Sequence, residues 1–198
     1  MKAIVFDLGN VLVRWDPAQA FLPDLGSREA AEAFMSRIGF FAKNLRADAG
    51  TPFADMAAEI VDADDRAIFA SYLPRAATTI REAIEGSWVL LERLRARGHE
   101  IHAITNWSAE AWPIGKATHP RLATSFGVTV VSGQEGILKP DPRIFALLCD
   151  RAGLKPEDCL FIDDSLKNVE GARAFGMQAH HFVSPEALET NLVERGLL

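Results

Sequence analysis

The sequence predicts an α/β fold, a parallel sheet flanked by helices with an all-helical insertion after the first strand, and three observations carry this. From about residue 86 onward, short apolar runs alternate with stretches of helical periodicity, and strands separated by helices form parallel sheets. Residues from about 16 to 85 are alanine-rich and helical in period, with no convincing strand. Ahead of them, the apolar run Ala3-Ile4-Val5-Phe6 stops at Asp7 and the turn residues Leu8-Gly9-Asn10.

Taken in order, the first strand delivers a carboxylate to a glycine-bearing loop able to fold around an anion. The insertion shows helix starts at Asp16-Pro17, Ser27 and Thr51-Pro52. A helix over 87–97 ends at Gly98, and a strand over 100–105 follows. Next come a helix over 107–117, a strand over 128–132 and a helix over 141–152 closed by Gly153. A strand over 159–163 and a helix over 165–175 closed by Gly176 lead to a late strand containing His180-His181-Phe182. Asp141-Pro142 and Ser184-Pro185 each offer a capping side chain followed by proline at the first helical position. The economical organisation is a sheet domain built from 1–15 and 86–198, with a helical cap over 16–85.

With 198 residues the chain can bury one good core and still carry a smaller insertion. A formal charge of -6 and a pI near 5.4 argue against a general nucleic-acid or anionic-membrane binder, which needs a basic surface. The expected partner is a small-molecule substrate, with the chain a monomer or small homo-oligomer. Cys149 and Cys159 have no paired metal spacing and suggest buried thiols in a reducing compartment. The first apolar run is too short for a signal peptide core, and no stretch reaches membrane-spanning length, so a cytoplasmic protein is expected.

Four separated points carry groups with chemistry: Asp7, Thr105-Asn106, Lys139 and Asp163-Asp164. Each closes a strand or an adjoining loop, and ligands of open α/β sheets bind beyond the carboxyl ends of the strands. Each has an ordinary reading alone, as a helix cap or a solvated loop charge. Together, in this order, they suit phosphoryl transfer. Asp7 as nucleophile needs nearby positive charge, which a bound Mg²⁺ and the Lys139 ammonium would supply. Asp7, a backbone carbonyl near Gly9 and Asp164 suffice for a magnesium cage, with Asp163 acting through water. Thr105 offers a hydroxyl, Asn106 an amide, and the N–H groups from Leu8 to Asn10 a nest for phosphoryl oxygens.

The stretches FDLGNVL, AITNWS, ILKPDPRIF and FIDDSLKNVEGA resemble the four motifs of the haloacid dehalogenase-like hydrolase superfamily across essentially the whole chain. The resemblance implies a Rossmann-like sheet, a helical cap between the first two motifs and an aspartyl-phosphate on Asp7. It also implies that Thr105 and Lys139 hold the phosphoryl group, that Asp164 and the Gly9 carbonyl bind Mg²⁺, and that Asp163, Ser165 and Asn168 support the metal shell. One position departs from the commonest phosphatase pattern: Gly9 stands where a second aspartate serves as general acid and base. The chain is similar to the subgroup containing α-glucose-1-phosphate phosphatases, which also read FDLGNV and expel a less basic anomeric oxygen. The implied activity is a Mg²⁺-dependent phosphomonoester hydrolase for a small metabolite such as a sugar phosphate. The alternatives are a 2-haloacid dehalogenase using Asp7 on carbon and a non-catalytic binding or regulatory relative. The dehalogenase reading suffers from Asp163-Asp164, two carboxylates beside a substrate carboxylate.

Other residues have structural and functional readings. Trp107 and Trp112 either line a pocket or pack between cap and core. Arg14, Trp15 and Asp16 occupy the linker to the cap, while Phe40-Phe41 and Arg46 belong to the cap that would set specificity. His102 reads as buried in its strand, and His180-His181 as structural.

Overall fold

The computed structural model describes residues 2–198. Five parallel strands, Ala3–Phe6 (β1), Glu100–Thr105 (β2), Thr129–Val131 (β3), Cys159–Asp163 (β4) and Gln178–His181 (β5), lie in the order β3-β2-β1-β4-β5. Strand β1 is the central one, with Val5 level with His102 of β2 on one side and with Phe161 of β4 on the other. Alternate side chains of a strand face opposite ways, so each strand feeds two cores. Ile4, Phe6, Leu160 and Ile162 pack with Trp88, Leu91, Leu188 and Leu192 from the Glu85–Ala96 and Pro185–Glu194 helices. Ala3, Val5, Cys159 and Phe161 pack with Ile144, Phe145, Leu148 and Val169 from the Pro142–Ala152 and Leu166–Phe175 helices. Both cysteines are free and buried.

A third apolar cluster draws only on the insertion, with Phe21, Phe34, Phe40, Phe53, Phe69 and Tyr72 at its centre. The chain enters and leaves it along two strands of backbone that hydrogen-bond to each other. Arg14 N–H donates to the Glu82 carbonyl at 2.8 Å, Asp16 N–H to Thr79 at 2.8 Å and Ile84 N–H to Leu12 at 2.9 Å. No helix among the described residues is long and apolar enough to cross a membrane.

Capping chemistry places several helix starts as the sequence indicates. Ser27 accepts from Ala30 N–H, Asp141 from Arg143 N–H and Ser184 from Ala187 N–H. At Asp16-Pro17 only a 3-10 turn, Pro17–Ala20, forms, because the Asp16 side chain is taken by Arg28 and Gln19 instead of capping. The helix expected over 107–117 begins only at Trp112 and runs to Thr118. Pro113 lies in its first turn, where a missing N–H is harmless, and residues 106–111 are instead held as a loop by the Trp107 N–H to Ser132 Oγ bond and the Ala111 N–H to Ser108 Oγ bond. The third strand is correspondingly short, since Ser132 starts a helical turn over Ser132–Glu135.

That turn is pressed against the loop. A Cβ at Gly133 would lie 2.4 Å from the Ala109 backbone nitrogen and 2.7 Å from the Trp107 carbonyl oxygen. Neither atom is a flexible side chain that could swing aside. Gly133→Ala is therefore expected to cost about 1–3 kcal/mol, in the range of overpacked sites. Urea unfolding of the variant should show a lower midpoint with an unchanged slope, and an unchanged midpoint would mean that the loop yields freely.

Candidate functional site

The carboxyl ends of β1, β2 and β4 meet where the strand order reverses, the position at which open α/β sheets hold ligands. Asp7 follows β1, Thr105 closes β2 and Asp163 closes β4, so three chain-distant groups arrive at one edge. Lys139 reaches them from the loop before the Pro142–Ala152 helix. Its buried Nζ lies 2.8 Å from Asp7 Oδ1, 2.7 Å from Asp163 Oδ2 and 3.1 Å from the Ile104 carbonyl oxygen, which accounts for all three of its N–H bonds. Its backbone is clamped by Asn106, whose Oδ1 accepts from Lys139 N–H at 2.8 Å and whose Nδ2 donates to the Lys139 carbonyl at 3.2 Å.

The two carboxylates that share this ammonium differ in what remains open. Asp163 is fully buried: Oδ1 accepts from Ser165 N–H and Asn168 Nδ2, and Oδ2 accepts from Lys139 and the same amide. Its charge acts on the site, while its oxygens are spent. Asp7 Oδ1 accepts from Leu8 N–H at 2.7 Å as well as from Lys139, which leaves Oδ2 as the oxygen available to an electrophile. Asp164 is half-buried beside them and takes a hydrogen bond from Asn10; His181 Nε2 donates to its carbonyl at 2.9 Å. Asn10 adopts φ 55, a left-handed conformation that asparagine tolerates better than most residues, and its Oδ1 accepts from Trp15 N–H.

Carboxylate oxygens of Asp7, Asp163 and Asp164 lie within 4.8 Å of one another, a set that could hold a metal ion. The electrostatics point the same way, because three carboxylates face one ammonium. Burial pushes the Asp7 carboxyl up to about 8, against the pull of Lys139 and with Asp163 and Asp164 pushing further. Asp164 is also raised, by burial and by Asp163. Lys139 stays above its ordinary range, since Asp7 and Asp163 more than offset the burial that works against its charge. A site that would rather hold a proton than its own negative charge has room for a cation.

Above this edge opens a cavity of about 210 Å³ between sheet and insertion. Asp7, Gly9, Asn10, Asn106 and Asp164 line its floor, while Thr105 and Lys139 do not line it. The nest expected from Leu8 to Asn10 is reduced to the Gly9 amide, because Leu8 N–H goes to Asp7 and Asn10 N–H to the Val13 carbonyl. Likewise the Asn106 amide is committed to the backbone of Lys139. Trp15 and Trp107 line the walls, whereas Trp112 packs in the core. Of the cap residues singled out in the sequence, Phe40 is buried in the insertion's own core. Phe41 is exposed, and Arg46 forms an exposed two-pronged pair with Glu59. Arg14 pairs with Glu82 at the surface. His102 is buried, its Nδ1 accepting from Val128 N–H, and burial lowers its pKa.

Several cavity residues carry no motif, Asn44, Asp48, Tyr72 and Thr79 from the insertion, while Ser108 closes the AITNWS stretch without a role assigned to it from the sequence. Asp48 alone had a signal. An acidic side chain in the last turn of a helix opposes the helix dipole and asks for a reason.

A family model for haloacid dehalogenase-like hydrolase matches residues 1–176. Phosphoserine phosphatase of Thermus thermophilus is 28% identical over 220 residues, covering 90% of this chain and 87% of that protein. Phosphoglycolate phosphatase of Nitrosospira multiformis is 29% identical over 199 residues, covering 93% and 83%. A haloacid dehalogenase family enzyme of Bacteroides thetaiotaomicron, solved as a substituted variant with magnesium and inorganic phosphate, superposes with a TM-score of 0.70 at 19% identity, over 93% of this chain and 95% of that one.

Lys139→Met removes the one cation from two buried carboxylates. The expected loss is about 3–5 kcal/mol at pH 8, the cost of breaking a buried pair from one side. In the variant the Asp7 carboxyl, already raised by burial, loses the pull of Lys139 and lies further above its unfolded value, so its contribution to stability is present at low pH and lost as pH rises through the folded value. Denaturant unfolding should accordingly show a smaller loss at pH 5 than at pH 8; equal losses would mean that packing, and not charge, is what Lys139 provides.

Proposed function

Because the chain belongs to the haloacid dehalogenase-like hydrolase family, we propose that it hydrolyses phosphomonoesters of small uncharged alcohols, sugar phosphates foremost, through an aspartyl phosphate on Asp7 and with Mg²⁺. The observation that carries this reading is the state of Asp7: one oxygen is fixed by Leu8 N–H and Lys139, and the other is open to a cavity. A nucleophile held in one orientation with one free lone-pair face needs little reorganisation to attack in line.

The donor set fits magnesium, since the clustered carboxylates of Asp7, Asp163 and Asp164 offer hard oxygen atoms; Asp7 and Asp164 would hold the ion with the Gly9 carbonyl as the proposed third ligand. When bound, the ion would offset charge on the transferring phosphoryl group and the nucleophile. The residues do the rest. Asp7 Oδ2 attacks phosphorus, the bond to the leaving oxygen breaks, and water then attacks the phosphorus of the aspartyl phosphate to release inorganic phosphate and restore Asp7. Lys139 keeps Asp7 in place and partly neutralised throughout. The Gly9 amide and the Thr105 hydroxyl are the donors proposed for the phosphoryl oxygens. Residues 16–85 serve as the cap that closes over the reaction and restricts water.

The cavity supports an uncharged leaving group. Its lining includes Asp7, Asp48 and Asp164 and, among the described residues, no lysine, arginine or histidine. A substrate carboxylate would meet like charges there. That counts against a 2-haloacid, and against the carboxylates of phosphoserine and phosphoglycolate, although the two relatives named for those compounds support the phosphatase class. Aromatic walls from Trp15, Phe53 and Trp107 suit the apolar face of a sugar ring.

The test is steady-state release of phosphate from sugar and aryl phosphates with and without Mg²⁺, beside halide release from 2-haloacids. Phosphate release that needs Mg²⁺ and disappears in Asp7→Asn is expected, and metal-independent halide release would overturn the reading. Metal binding should also follow pH. Since the metal-free Asp7 carboxyl is raised to about 8, Mg²⁺ must displace a proton below that value. Its apparent affinity should rise roughly tenfold per pH unit between 6 and 8 and then level off, as one displaced proton requires. Calorimetric titrations at three pH values would show this, whereas an affinity independent of pH would place the ion elsewhere.

A further inference from the structure

We propose that Asp48, supplied by the insertion, is the proton carrier of the reaction: it protonates the departing alkoxide and then takes a proton from the water that frees Asp7. The inference rests on the phosphomonoesterase reading above and fills the gap that Gly9 leaves in it. A Cβ built on Gly9 meets nothing within 4 Å, so position 9 is an open space facing the cavity, and any acid acting there must come from elsewhere.

Four titratable side chains line that cavity: Asp7, Asp48, Tyr72 and Asp164. Asp7 is the nucleophile and Asp164 belongs to the carboxylate cluster beside it. Tyr72 is buried, its hydroxyl accepts from Trp15 Nε1, and burial holds its phenol above the ordinary range, too weak an acid for the task. Asp48 remains. It has no salt-bridge partner among the described residues, and Lys139 is already taken by Asp7 and Asp163. It is nonetheless fixed in place. Asn44 Nδ2 donates to its Oδ2 at 3.0 Å, the Ser108 backbone N–H faces its carboxylate, and its carbonyl accepts from Ser132 Oγ at 2.6 Å. The same Ser132 Oγ accepts from Trp107 N–H, so the insertion's acid is pinned to the loop that follows Thr105.

The charged and titratable groups around it are few. Lys139 acts on it from the sheet edge, Tyr72 lies on its own side, and Asp7 and Asp164 share the cavity. Burial pushes its carboxyl up to about 7, against the pull of Lys139. The helix end on which it sits works in the same direction. A group that exchanges its proton near neutrality can serve both as acid and as base.

The chemistry balances. As Asp7 Oδ2 bonds to phosphorus, the phosphorus–oxygen bond to the alcohol breaks and the Asp48 proton goes to that oxygen, giving the free alcohol and a carboxylate. That carboxylate then removes a proton from water as the water oxygen bonds to phosphorus. The bond to Asp7 breaks, inorganic phosphate leaves, and Asp48 is protonated again.

The experiment compares p-nitrophenyl phosphate, whose leaving group needs no proton, with a primary alkyl phosphate, using wild type and Asp48→Asn with Mg²⁺. In the variant, kcat/KM for the alkyl ester should fall by about 10²–10⁴, the usual worth of a general acid, while kcat/KM for the aryl ester stays within about threefold. The aryl reaction should then show a burst of nitrophenol, because loss of the base slows hydrolysis of the aspartyl phosphate. In the wild type, kcat/KM for the alkyl ester should decline above pH 7 relative to the aryl ester, a readout that requires no variant to fold. Equal losses on both esters, no loss on either, or identical pH profiles would overturn the role of Asp48. Wild-type protein inactive on both esters would instead overturn the phosphatase reading itself and this inference with it.

Discussion

One buried ammonium organises the catalytic edge of this protein. Lys139 Nζ lies between Asp7 and Asp163 at 2.8 and 2.7 Å, and without it two carboxylates would face each other in a site from which water is largely excluded. The surrounding structure serves that contact. Asn106 clamps the backbone of Lys139, Asn168 and Ser165 N–H satisfy the rest of Asp163, and Leu8 N–H satisfies the second lone pair of Asp7 Oδ1. What is left uncompensated is small and specific: one oxygen of Asp7, the carboxylate of Asp164, and an excess of negative charge between them. The lysine thus fixes Asp7, the proposed nucleophile, without quenching the site's demand for a further cation.

The sheet order makes the contact possible. With β1 in the centre and β2 and β4 on either side, three strand ends converge at the point where the chain changes direction of travel through the sheet. The two apolar faces that bury β1 and β4 hold this geometry from both sides. The insertion brings a separate aromatic core and joins the site through few polar contacts, chiefly Asp48 to Ser132 and Phe53 N–H to Glu110. A second body touching the sheet edge at few polar points fits the proposal that residues 16–85 act as a cap.

What could be read in the sequence divides along physical lines. Asp7, Thr105, Lys139 and Asp163-Asp164 were legible because each ends a short apolar run or sits beside one, and strand ends in a parallel sheet converge by topology alone. Strands 100–105 and 159–163 have the bounds their residues indicate, since buried strands leave continuous apolar runs. Residues 107–111 have helical periodicity but form a loop, because its hydrogen bonds run to Ser108 Oγ and to the distant Ser132, and no periodicity records a bond across 25 residues. The Leu8–Asn10 nest and the Asn106 amide looked available only because their partners, Val13 and Lys139, are chosen by tertiary structure. Tyr72 carries no sequence signal for the same reason, and the acid at the end of a helix that marks Asp48 does not say what it faces. Helical period assigns a residue to a face of its helix, but not that helix to a place over the sheet.

Covalent phosphorylation of Asp7 is the step on which the proposed mechanism depends. The most direct measurement is acid quenching during turnover of a sugar phosphate, followed by peptide mapping by mass spectrometry. A phosphate adduct on the peptide containing Asp7, absent in Asp7→Asn, is the result this account requires. Turnover of the ester with no adduct on that peptide, or with phosphate carried on another residue, would contradict it.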